Sequence, residues 1–127
     1  MIKQVFNVED KWKVIVYYNI NYNLFYNIAY DLHFINISAK SIKRIYNNMK
    51  YNNAKAVTIS NIKLHISIVA FNNHSDKYDY INSIVHEAEH IKQAMLKAYN
   101  VIDKGEPPAY TIGYLVMKML MFLDVLC

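Results

Sequence analysis

Apolar residues alternate with polar ones at the start of the chain and then change period. Residues 12–18, WKVIVYY, are rich in β-formers and predict a strand, paired with residues 2–7 through a turn at Glu9-Asp10. From Asn23 to Phe34 the spacing becomes helical, with Leu24, Phe25, Ile28, Ala29 and Leu32 on one stripe. Ser38 offers an N-cap to a second helix carrying Ile42, Ile45, Tyr46 and Met49, which ends at an Asn-rich turn. Residues 55–60 and 62–71 are two further strand candidates separated by Asn61. In the second of these, NIKLHISIVAF, one apolar face alternates with a mixed one, the expectation for a strand near a sheet edge.

After the polar loop NNHSDKY a long helix is expected from about Asp79 to Tyr99, with Asp79 in its first turn. The segment DKGEPP interrupts the chain, with Gly105 as a C-cap-like residue and Pro107 near the next helix start. A last helix is expected to run to about Asp124. The sum is one α+β domain over residues 1–127, with a small, mainly antiparallel sheet packed against helices.

Composition narrows the classes. Of 127 residues 54% are hydrophobic and 19% charged, so a packed core is expected rather than disorder. The net charge of +4 is scattered, and Arg44 is the only arginine among 14 basic residues. Arginine forks dominate duplex reading, so no specific nucleic-acid partner is expected. The 12 tyrosines lack the basic interleaving of an RNA-binding sheet and fit packing with a polar tip. A single cysteine, Cys127, admits no disulfide within the chain, which suits a reducing compartment. The N-terminus MIKQVFNVEDKWK has no apolar signal region. The apolar tail TIGYLVMKMLMFLDVLC is broken by Lys118 and Asp124, so it predicts a core or oligomer-forming helix rather than a membrane span. Heavy use of Asn, Tyr, Ile and Lys matches AT-rich coding, as in many phages and mobile elements.

Chemistry concentrates in IVHEAEHIKQ, residues 84–93. On the predicted helix Ile81, Ile84, Val85, Ala88, Ile91 and Met95 form an apolar stripe, and His86 and His90 fall about 160° from Ala88 on the opposite face. Imidazoles at i and i+4 project in parallel and can share one Zn²⁺; Glu87 beside them can act as general base. Downstream, Glu106 begins a stripe with Ala109, Tyr110, Gly113 and Met117, whose small residues would allow close approach to the histidine helix. That contact would bring Glu106 in as third ligand and Tyr110 or Tyr114 as oxyanion donor. His65, His74 and His33 are expected to be strand, loop and helix-surface residues without ligand roles. No Gly-rich phosphate loop and no Ser/His/Asp or Cys nucleophile pattern is present in the sequence.

These residues resemble the zincin metallopeptidases of the gluzincin type, in which HExxH on one helix is completed by a glutamate on the next. SIVHEAEHIK followed by GEPPAYTIGYL is also similar to small zincin-like proteins of Bacteroides-type phages and mobile elements. The resemblance implies a minimal zincin-like domain with His86, His90 and Glu106 as zinc ligands and Glu87 as base. NIKLHISIVAF would be the edge strand that aligns a protein or peptide substrate. Gln93 and Leu96 stand where the HExxHxxGxxH pattern requires glycine and histidine, which excludes the metzincin type. The expected function is zinc-dependent peptide hydrolysis in a host cytoplasm or in association with a virion. The alternative is a non-catalytic virion or assembly protein on the same scaffold, joining its partner or a second copy through the C-terminal helix.

Overall fold

The computed structural model describes residues 1–127 apart from the side chain of Glu106. The chain opens with a hairpin of β1 (Ile2–Val8) and β2 (Trp12–Tyr18), paired antiparallel from Ile2↔Tyr18 to Val8↔Trp12. Glu9 and Asp10 both have positive φ, 52° and 55°, and Lys11 N–H donates to Val8 O at 3.0 Å. Two consecutive positive-φ residues match the right-handed twist of the strands they join.

A single 3-10 turn leads into α1 (Phe25–Phe34), which buries Phe25, Ile28 and Leu32. The Ser38 hydroxyl accepts from Ser41 N–H and caps α2 (Ala39–Lys50), as its sequence predicts. Then β3 (Ala56–Asn61) and β4 (Ile66–Phe71) form a second antiparallel hairpin. β2 and β4 pair in parallel, so the sheet order is β1-β2-β4-β3 with two antiparallel contacts and one parallel.

Two expectations fail in this region. Ile62–His65 turn rather than extend, because Asn61 Oδ1 takes Leu64 N–H at 3.0 Å and His65 adopts φ 57°. Nor does NIKLHISIVAF lie at the edge: β4 is central, and Ser67, Ile68, Val69, Ala70 and Phe71 are all buried. Its apparently mixed face is covered, and its polar member is satisfied there. Ser67 Oγ accepts from Trp12 Nε1 at 2.9 Å and lies 2.7 Å from Ser60 Oγ. The edge next to it is β3.

The second half supplies α3 (Lys77–Tyr99), α4 (Glu106–Met119) and the short α5 (Leu123–Leu126). Asp76 caps α3 by accepting from Asp79 N–H, and Asn100 ends it in the left-handed conformation at φ 55°. Asn100 therefore takes the cap role expected of Gly105. Gly105 instead precedes α4 with φ 88° and ψ −165°, a region that side chains rarely enter. The last helix stops at Met119, short of the Asp124 expected, and turns into α5.

Helices cover both sheet faces. One core packs Phe6, Val8, Trp12, Val14, Val16 and Tyr18 with Val69 and Phe71 against α3, α4 and α5. The other packs Ile15, Tyr17, Ile68 and Ala70 against α1 and α2. The fold is a small α+β domain, and no described helix is long and apolar enough to cross a membrane.

Candidate metal centre

α3 lies over β3 and β4, and the face it buries is rotated from the simple apolar stripe. Val85 is 44% exposed, whereas Tyr80, Ser83 and Glu87 are buried with Ile84, Ala88, Ile91 and Met95. Thr58 lies among the β3 residues facing α3, and its Oγ1 donates to Glu87 Oε1 at 2.9 Å. A buried carboxylate with a donor costs less than one left without. Glu87 is 5% exposed, its Oε1 is committed to Thr58, and its Oε2 lies 3.9 Å from His86 Nε2.

His86 and His90 stand on the solvent side of α3, as their spacing from Ala88 predicts. Their Nε2 atoms are 3.2 Å apart and their rings are nearly perpendicular, at 87°. Two nitrogens bound to one tetrahedral cation at about 2.0–2.1 Å lie roughly 3.3–3.4 Å from each other. The observed separation fits that requirement. Two imidazole lone pairs this close repel unless a proton or a cation lies between them. One donor atom each from His86, Glu87 and His90 lies within 4.8 Å of the others. Two imidazoles and a carboxylate are donor types that could hold a metal ion.

A groove runs beside this cluster, lined by Lys55, Ala56, Asn82, Ser83, His86 and Glu87. Lys55 and Asp79 form an ion pair at its rim, and Lys55 holds the Asp79 carboxyl below the ordinary carboxylate range. Along the groove β3 presents an unpaired edge. Asn72 N–H donates to Lys55 O at 3.0 Å, so the hydrogen-bonded pairs with β4 fall on odd-numbered β3 residues. Ala56, Thr58 and Ser60 therefore turn their N–H and C=O groups outward.

Two of the other predicted site residues, Tyr110 and Tyr114, lie elsewhere. The side chain of Glu106, the expected third ligand, is outside the described residues. The stripe it was expected to head does not face α3: Tyr110 is 72% and Met117 54% exposed, and a Cβ on Gly113 would meet nothing within 4 Å. α4 instead buries Pro108, Leu115 and Met119, its more continuous apolar face. Pro107, Tyr110 and Thr111 share a cleft with Met95, Leu96 and Tyr99 of α3. Leu96 follows Glu87 by nine positions, about 180° around the helix, so α4 begins on the flank away from Glu87. Tyr114 Oη donates to Asn7 O at 3.2 Å, and its ring meets Phe6. Those partners are on β1, across the full sheet from β3, roughly 14 Å at three strand spacings. Neither tyrosine lines the groove beside the histidines.

Of the remaining histidines, His65 and His74 have structural partners. His65 sits in the hairpin turn stacked on Trp12, and His33 is exposed at the end of α1. His74 is in the loop before α3 but is more constrained than a loop residue need be: Nδ1 is 2.7 Å from Asn72 O, and Nε2 is 2.7 Å from Ser83 Oγ. Ser83, Thr58 and His74 escape a reading by spacing. Ser83 precedes Glu87 by one turn, but nothing in the sequence places a strand threonine or a loop histidine against α3. The chain matches no protein-family model, no curated protein and no solved structure with which it was compared.

Proposed function

We propose that His86 and His90 hold a zinc ion and that Glu87 is the proton acceptor of a hydrolytic, peptidase-type centre. The observation that carries this reading is the 3.2 Å separation of the two Nε2 atoms with a buried carboxylate alongside. A zinc ion bound there supplies Lewis acidity and lowers the pKa of a water in its open position. Thr58 fixes one oxygen of Glu87, which leaves Oε2 on the histidine side to take a proton. The outward groups of Ala56, Thr58 and Ser60 suit an extended peptide added as a fifth strand, which would run past Glu87. Glu106 is proposed as third protein ligand on the sequence resemblance alone.

Purified protein is expected to carry close to one zinc per chain by elemental analysis. His90→Ala should lose it, while Glu87→Gln should keep it and lose cleavage of a casein or peptide-library substrate. Metal-free wild type overturns the site. Glu106→Ala should weaken affinity far more than Glu89→Ala, because Glu89 is already engaged by Lys92 at 2.8 Å and Gln93 at 3.0 Å. Equal losses would remove Glu106 from the ligand set.

A second reading rests on the C-terminal helices. Met117, Met121 and Val125 are exposed in succession and provide an apolar strip suited to assembly. Zinc without activity in both wild type and Glu87→Gln, together with a multimer in sedimentation, would favour a structural or virion role.

A further inference from the structure

We propose that Ser83 and His74 form a second, metal-independent nucleophilic site that accepts small acyl esters through the groove beside α3. The arrangement begins with a fixed carbonyl. Asn72 is held at its backbone N–H by Lys55 O at 3.0 Å, and its side-chain amide donates to Met49 O at 2.8 Å and Ala54 O at 2.7 Å. Asn72 O, so anchored, lies 2.7 Å from His74 Nδ1. A carbonyl only accepts, so Nδ1 carries the proton. In the neutral ring Nε2 is then the acceptor, and in that state the Ser83 hydroxyl 2.7 Å away donates to it. The ring cannot swing freely, since it packs at 4.2 Å between centroids on the buried Tyr80, with Phe71 behind.

Nucleophile, base and orienting group thus follow in hydrogen-bonded series, with a main-chain carbonyl in the orienting position. Ser83 is 6% exposed and lines the groove beside Asn82. A mere latch between loop and helix would not need the serine to line a groove.

The chemistry balances without a metal or an oxidant. As the Oγ–C bond to an ester carbonyl forms, the serine proton passes to His74 Nε2. The ester C–O bond then breaks, and His74 returns the proton to the departing alkoxide. Water then adds to the acyl carbonyl as its proton passes to the same nitrogen; the Oγ–C bond breaks, the acid is freed, and His74 returns the proton to Ser83 Oγ. Asn82, whose side chain is exposed in the groove, has an amide N–H to offer the developing oxyanion.

The test uses an alkyl fluorophosphonate on full-length protein in excess chelator, so that the outcome is separate from the zinc reading. One adduct per chain is expected, mapped to Ser83 by peptide mass spectrometry of the wild type. His74→Gln should slow labelling about a hundredfold, the lower end of the range for a lost general base. Ser83→Ala should abolish it, with the far-ultraviolet dichroism of both variants unchanged. Absence of an adduct, an adduct mapped only to a tyrosine or lysine, or undiminished labelling of a folded His74→Gln overturns the proposal. Mapping on the wild type keeps the test decisive even where a variant misfolds.

Discussion

Thr58 and Glu87 meet through one hydrogen bond, which ties the middle of α3 to the edge strand β3. Removing the hydroxyl while keeping the shape isolates its contribution. Thr58→Val should leave Glu87 Oε1 without a donor in a buried position, at a cost of about 1–3 kcal/mol in urea unfolding. Thr58→Ser, which keeps the donor, should lose much less; equal losses would assign the effect to the methyl group's packing. At this scale the sequence showed the types and the spacing. His86 and His90 stand outward as a 100° rotation per residue requires. The burial of Glu87 was not readable, because a carboxylate among alanine and isoleucine is placed inside only when a partner comes from another strand.

At the scale of elements, local chemistry announced some starts and stops. Ser38 caps α2 as its sequence predicts, whereas the cap of α3 is Asp76, three residues before Asp79 and inside the segment read as loop. Asp76→Ala should lower stability by about 1 kcal/mol in urea unfolding, whereas Asp76→Ser should nearly restore it. The errors share a cause. Period-2 alternation in Ile62–His65 looks like strand, yet those residues form the reversal that antiparallel pairing of β3 and β4 demands. The stripe from Ala109 to Met117 is helical in period but faces solvent, because Leu115 and Met119 reach the core instead. Periodicity identifies that a helix has faces, and neighbours decide which one is covered.

For the molecule as a whole, three buried phenols tie stability to pH. Tyr18 donates to Gln4 Oε1 at 2.6 Å, Tyr80 to Asn19 Oδ1 at 3.0 Å, and Tyr17 to Asp31. Burial raises all three above the ordinary 10.0, with Asp31 adding to the effect at Tyr17 and Tyr80 at Tyr18. The folded state therefore retains protons that the unfolded chain releases above pH 10, so folding is favoured fully below that value and less as pH rises past it. The urea midpoint should hold steady from about pH 7 to 9 and then fall, less steeply for Tyr18→Phe; a decline with the same slope in that variant would exclude Tyr18 as a cause. The sequence by itself determined the α+β class, the helix with two outward histidines a turn apart, and the Ser38 cap of α2. These are consequences of residue period and of hydrogen bonds within a few positions. Only the tertiary structure decided that β3, not β4, is the free edge, that Glu87 is buried against Thr58, and that His74 meets Ser83. Each of those joins residues distant along the chain, brought together by burial of both sheet faces, and no local pattern encodes such a meeting.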